Sequence, residues 1–301
     1  MFTCLSDEIA MDQVLTASAD AYNTQWTAAL DNVFTEFTKS APITDQGVHA
    51  VRRALKKARA GLRLFRESLD EEVYRKENVT LRDAGRRFST LRDSKSLLAA
   101  FDFRRNRYVS RLRQTRFDRV RKILRAKHKQ TRNDFVCKPG LRKPSIELVE
   151  SCRVEMEKLR VANGYPNAIK IGLQRLYRSG RKSFEDAQRK DTAEAIHEWR
   201  KQVKYLANAL SIIAEAGKKK NGKYKNRLDN LTDKLGDDHD LIMFAKELAS
   251  PSLQWIDAPL RVELISLANE RRGKLKTRAF SLGKDLYDLK PKQWVKRYCD
   301  H

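Results

Sequence analysis

Apolar residues recur along this chain at steps of three and four, and period-two alternation of β-branched residues is absent. That spacing gathers apolar side chains onto one stripe of an α-helix. The clearest stripe is Val48, Val51, Leu55, Ala58, Leu62, Phe65 and Leu69. A second is Ile196, Trp199, Val203, Leu206, Leu210 and Ile213. Both have the heptad-like spacing of a bundle seam. Gly and Pro number only 12 and 7, few enough to leave long helices uninterrupted. The pattern predicts an all-α protein.

Turn and cap signals divide the stripes into elements. A first helix is expected over 7–39 and is ended by the stretch 40–47, which contains Pro42. Thr44 then caps a second helix reaching about Ser68. A third is expected over 70–91, and a fourth from Asp93 to about Gln130, with room for a break. Residues 131–144, with Pro139, Gly140 and Pro144, read as a linker between halves 1–135 and 136–301. Helices follow at 145–161 and 167–189. Asp191 with Glu194 resembles a capping box for a helix to about Glu215. A helix over 223–235 is expected to stop at Gly236, with Asp237 or Asp238 capping the next, to Ala249. Helices at 258–286 and 291–299 complete the chain.

The seams carry an internal repeat. Val48-His49-Ala50-Val51-Arg52-Arg53-Ala54-Leu55-Lys56 and Ile196-His197-Glu198-Trp199-Arg200-Lys201-Gln202-Val203-Lys204 both read apolar, His, x, apolar, basic, basic, x, apolar, basic. Leu91-Arg92-Asp93 and Gly236-Asp237-Asp238-His239-Asp240 follow at nearly equal separations. Asp93 and Asp240 read as helix N-caps. One residue round from the first seam runs a ridge of His49, Arg52, Lys56, Arg59, Arg63 and Arg66. His197, Arg200 and Lys204 form the shorter second ridge, in which Ala207 stands where a further cation would fall. Lys and Arg beside a seam also snorkel over it without any ligand. No matching row of acids stands one turn away to neutralise these, as internal pairing would require.

Charge sharpens this picture. Lys and Arg total 63 against 39 Asp and Glu, a formal net charge of +24. Residues 1–46 hold seven acids and only Lys39, so the basic excess lies in the body of the chain. The densest run, 104–132, has 13 Lys and Arg against Asp118. Such a balance points to an acidic partner. Cys4, Cys137, Cys152 and Cys299 lack metal-site spacing and fit reduced thiols. No signal-peptide pattern and no membrane-length apolar run occur, so a soluble, cytoplasmic protein is expected.

The segment from His197 to Tyr205 resembles the second histidine motif of the CHAD (conserved histidine α-helical domain) family. His49 to Lys56, with Arg59 and Arg63 beyond, resembles the first. Tyr177-Arg178-Ser179-Gly180-Arg181-Lys182 is similar to the family's basic element upstream of the second motif. The resemblance spans roughly 10–295 and includes no CYTH triphosphatase companion, so it implies a stand-alone member. It implies two four-helix bundles of long antiparallel helices, related by pseudo-two-fold symmetry, around a basic channel that binds inorganic polyphosphate. Carried onto this sequence, His49, Arg52, Arg53, Lys56, Lys57, Arg59 and Arg63 line one wall. His197, Arg200, Lys201 and Lys204 line the other, with Tyr177, Arg178, Arg181 and Lys182 near an entrance and Arg86 and Arg87 as further candidates.

A long anion without bases calls for many Lys and Arg contacts. Each histidine has three readings: a cationic ligand, a neutral N–H donor, or a structural group near Asp93 or Asp240. No metal, cofactor or catalytic residue is expected. Non-specific nucleic-acid binding accompanies such a charge, and dedicated nucleic-acid binding is the alternative function. A metal-dependent polyphosphate-processing enzyme would need metal-binding carboxylates in the site, and no alternating acidic cluster stands within the basic rows. Granule association would follow from binding alone.

Overall fold

The computed structural model describes residues 44–108, 114–137, 165–216, 222–254 and 256–299, with helical positions at 28, 31, 35, 144, 147, 150, 151 and 153–155. Helix α1 spans Asp45–Leu64 and ends in a 3₁₀ turn, Arg66–Ser68. Helices α2 (Glu71–Arg87) and α3 (Ser89–Tyr108) are separated only by Phe88, and α4 spans Gln114–Cys137. Then come α5 (Tyr165–Lys190), α6 (Ala193–Ala216), α7 (Lys223–Leu248), α8 (Ala258–Leu286) and α9 (Pro291–Cys299). The protein is all-α, with no strand among the described residues. The helices expected over 7–39 and 145–161 lie largely outside the described residues.

Local chemistry starts these helices. Thr44 accepts a hydrogen bond from Gly47 N–H at 3.0 Å, as expected of a cap. Asp70 accepts from the N–H groups of Glu72 and Val73 at 2.9 and 3.0 Å, opening α2. At the α5–α6 junction the cap is Thr192, which accepts from Ala195 N–H at 3.2 Å, and not Asp191. Asp191 instead takes the left-handed backbone, at φ 49°, that reverses the chain. An aspartate tolerates that region better than most residues. Its carboxylate accepts from Lys276 at 2.8 and 2.9 Å.

Two boundaries differ from the sequence reading, each because burial outweighs a local signal, while the break allowed for within 93–130 falls between α3 and α4. The 93–130 stretch is two helices packed side by side, with Arg121 on α4 hydrogen-bonded to Asp102 on α3 at 2.5 and 2.9 Å. The stretch 131–137 is helical and not linker, held by buried Phe135 against Phe88 at 5.3 Å between ring centroids; residues 138–143 lie outside the described set. Helix α7 runs straight through Gly236. Leu228, Leu231, Leu235, Asp238, Leu241, Phe244 and Leu248 are all buried along it, and that stripe overrides the roughly 1 kcal/mol helix penalty of one glycine. Asp237, Asp238 and Asp240 are therefore helix-interior residues and not caps, and so is Asp93 within α3.

The long helices pack as consecutive pairs, α1 with α2, α3 with α4, α5 with α6 and α7 with α8, while α9 folds back onto α5. The two helices carrying the histidine repeat, α1 and α6, pack directly against each other. The larger core joins α1, α2, α5 and α6 to parts of α7, α8 and α9. A second core joins α3 and α4 to α7 and α8 through Leu98, Phe101, Val120, Leu124, Leu241 and Phe244. Each core takes residues from both sides of position 135. Helix α5 comes so close to the end of α1 that a Cβ at Gly172 would sit 1.8 Å from the Leu64 carbonyl oxygen.

Candidate polyanion-binding site

The α1 ridge divides into an exposed end and a half-buried end. His49, Arg53 and Lys56 are exposed, whereas Arg52, Lys57, Arg59 and Arg63 are partly buried. Arg52 donates through Nη1 to the Gly85 carbonyl at 2.8 Å and to Ser89 Oγ at 3.2 Å. The helical ladder breaks at Phe88, so the last carbonyls of α2 lack their usual partners, and the guanidinium supplies one. Arg59 donates to Asn78 Oδ1 from Nε at 3.3 Å and Nη2 at 3.2 Å. The Arg63 guanidinium lies over the Tyr205 ring of α6, 4.0 Å from its centroid. Neither Arg59 nor Arg63 has an acidic partner among the described residues. Burial holds the Arg59 pKa below its usual value, and the neighbouring Arg63 and Arg82 charges act the same way; the group still remains a cation.

Lys57 forms an ion pair with Glu215 of α6. Lys57 thus lies opposite Glu215 while Arg63 lies opposite Tyr205, so α1 and α6 run antiparallel. His49 and His197 consequently stand towards opposite ends of the pair, and the rows meet end to end at Arg63 and Tyr205. His49 to Arg63 is 14 residues and His197 to Tyr205 is eight. At about 1.5 Å per residue the rows together extend about 33 Å.

On α6, His197 is half-buried, with its ring centroid 4.7 Å from that of His239 on α7. Its buried Nδ1 has no hydrogen-bond partner. Burial lowers the His197 pKa, and the charges of Arg200 and Lys201 lower it further. Arg200 is nearly buried, at 9 % exposure, and Lys204 is half-buried. Lys201 pairs with Glu198 one turn away.

The α5 element is less uniform than its sequence suggested. Tyr177 is fully buried and not at an entrance. Its ring stacks on Trp294 at 4.5 Å and its hydroxyl donates to the Leu289 carbonyl at 3.1 Å. Burial pushes the hydroxyl pKa up to about 12. The signal was present: Leu173, Tyr177, Gly180 and Phe184 step by four, three and four along a buried stripe. Arg181 donates to the same carbonyl at 3.0 Å and to Glu185 at 3.1 Å, so it ties α5 to the segment before α9. Arg178 and Lys182 are exposed and make no hydrogen bond or ion pair among the described residues. Arg86 bonds Asp83 at 3.4 Å, and Arg87 is half-buried.

Two features escaped the sequence reading. Arg175 of α5 pairs with Glu67 and donates to the Arg63 carbonyl, placing another guanidinium beside the crossing point. At the start of α1, one turn before His49, Asp45 accepts from His128 Nε2 at 3.1 and 3.2 Å and pairs with Lys95 at 3.0 Å. The other ring nitrogen of His128 lies 2.9 Å from Ser94 Oγ. Burial would raise the Asp45 pKa, but the bonds from Lys95 and His128 hold it below the usual carboxylate value. The Asp237–Asp240 cluster disperses around α7. Buried Asp238 accepts from Arg272 Nε at 3.0 Å, while His239 faces His197. Among the described residues no three His, Cys, Asp or Glu side chains gather as metal ligands.

Comparison with known proteins agrees with this architecture. The CHAD domain family model matches residues 24–249. The crystal structure of the CHAD domain from the plant Ricinus communis superposes with a TM-score of 0.60 at 17% identity, covering 96% of this chain and 95% of that one. PptA from Streptomyces chartreusis superposes with a TM-score of 0.61 at 14% identity, covering 93% of this chain and 100% of that one. No curated protein matches the chain in sequence. With the family match covering well over half of the chain, and with both histidine motifs on adjacent helices inside it, this protein belongs to the CHAD domain family.

Proposed function

We propose that this protein binds inorganic polyphosphate along the cationic track of α1 and α6, without turning it over. One observation carries the reading: the two repeat helices pack antiparallel, so two short rows become one long one with Arg63 at the join. A flexible chain of phosphates presents oxygens and no bases, and a line of Lys and Arg matches that chemistry. The half-buried stretch at the join, where Arg59 and Arg63 lack acidic partners among the described residues, sits in a lower dielectric than the exposed His49 end of α1, which strengthens attraction for an anion. Binding of this kind would bring the protein to polyphosphate granules.

The test is binding of long-chain polyphosphate over a series of salt concentrations, with duplex DNA as competitor and phosphate release followed in Mg²⁺ and Mn²⁺. Tight, salt-sensitive binding that resists the duplex, with no phosphate released, is the expected outcome. Ready displacement by DNA would assign the track to nucleic acid, and metal-dependent phosphate release would make the protein an enzyme.

A further inference from the structure

Helix α4 carries a second basic row that the α1–α6 track does not use. Its cations sort by direction. Arg121 is bonded to Asp102 and Lys127 to Glu247, both towards neighbouring helices. Lys122, Arg125, Lys129 and Arg132 step by three, four and three, so they share one side of the helix. The first three are exposed and Arg132 is partly so. None of the four makes a hydrogen bond or ion pair among the described residues. The opposite side of α4 is buried through Val120, Leu124, His128 and Phe135. The helix packs chiefly on α3, which leaves its basic side on the outside of the molecule.

We propose that this outer face of α4 is a separate binding surface for the phosphate backbone of duplex nucleic acid. From Lys122 to Arg132 the row covers about 15 Å at about 1.5 Å per residue. A helix holds these cations at fixed spacing, which suits the regularly placed phosphates of a duplex. The residues exposed beside it, Ala126, Gln130 and Asn133, offer no ring on which an unpaired base could stack. None of the large apolar side chains exposed among the described residues lies on α4, so the face lacks what an interfacial membrane helix would insert. With backbone contacts alone, binding is indifferent to sequence and steep in salt. A protein with both surfaces would bridge polyphosphate to nucleic acid.

Fluorescence anisotropy with a short mixed-sequence duplex tests this in the full chain. The variant carrying Lys122→Ala, Arg125→Ala, Lys129→Ala and Arg132→Ala is compared with wild type after circular dichroism and thermal melting establish its fold. Loss of four phosphate contacts lowers the slope of log K against log salt by about 3.6, at about 0.9 per contact. The single changes Arg125→Ala and Lys129→Ala, at exposed positions that leave folding intact, each lower it by about 0.9. Polyphosphate affinity is unchanged in all three, and wild type holds both polymers at once. An unchanged duplex slope overturns the proposal. So does an equal loss of polyphosphate binding, which would make the row part of the polyphosphate site. Failure of wild type to bind polyphosphate would reject the track and leave the α4 surface standing.

Discussion

Arg63 of α1 lies over the ring of Tyr205 of α6, its guanidinium carbon 4.0 Å from the ring centroid. This contact orients a cation without neutralising it. A carboxylate at the same place would cancel the charge that the proposed polyanion site needs. A tyrosine face holds the guanidinium by its quadrupole, worth about 0.5–2 kcal/mol depending on exposure.

Arg63→Ala therefore weakens polyphosphate binding more than Arg53→Ala, although Arg53 is the more exposed cation. Arg63→Lys restores little, because an ammonium neither stacks nor forks as a guanidinium does. Tyr205→Phe keeps the ring and the affinity, whereas Tyr205→Ala loses about tenfold, the equivalent of about 1.4 kcal/mol. Titration calorimetry across the four variants checks this.

If His197 belongs to the proposed site, acidification is expected to tighten polyphosphate binding. In the free protein its pKa lies below the unfolded value, chiefly by burial and then by the charges of Arg200 and Lys201. The unfolded chain thus binds more protons between the depressed pKa and about 6.5, and stability falls as pH drops through that window. A bound polyanion reverses the electrostatics and favours the imidazolium, so binding takes up protons. Polyphosphate affinity is expected to rise from pH 7.5 towards the acid end of that window, as read by calorimetry in buffers of different ionisation enthalpy. His197→Ala flattens the part of the profile due to this group; an unchanged slope in that variant would remove His197 from the site.

Two histidines near the start of α1 separate structure from binding. His128 is buried against Asp45 and Ser94, so His128→Ala costs about 1–3 kcal/mol of stability through its lost hydrogen bonds. His49 is exposed, and His49→Ala is expected to cost less stability than His128→Ala while reducing polyphosphate affinity. Thermal melting and binding, measured on both variants, should rank them in opposite orders.

The close approach of α5 to α1 gives a packing test. Gly172→Ala places a methyl 1.8 Å from the Leu64 carbonyl oxygen, which the backbone must move to avoid. The helix propensity gained from alanine, about 1 kcal/mol, is outweighed by this clash, and a net loss of about 1–3 kcal/mol is expected in denaturant melts.

Much of the fold is readable in the residues, because seams such as Val48–Leu62 and Ile196–Ile213 state the helix period directly. Thr44 and helices α8 and α9 follow from local chemistry in the same way. Gly236 and Asp237 misled because a local stop signal is weaker than a continuous buried stripe of leucines. Thr131–Phe135 misled for the same reason, since Phe135 finds Phe88 far away in sequence. The candidate rows were visible as ridges, but their antiparallel junction was not. It depends on Lys57 meeting Glu215 and Arg63 meeting Tyr205, pairings more than a hundred residues apart that no local pattern encodes. Tyr177 shows the converse: its basic neighbours suggested a site, while its place on the α5 seam put it in the core.

The central claim is that the α1 and α6 rows act as one site. The most direct measurement is calorimetric affinity and stoichiometry for short and long polyphosphate in three proteins: wild type, an α1 variant (Arg53→Ala with Lys56→Ala) and an α6 variant (Lys201→Ala with Lys204→Ala). A single track predicts one long chain per protein, held more tightly than a short one, with that advantage lost in either variant. Two chains per protein, with each variant losing one and leaving the other unaltered, would contradict it.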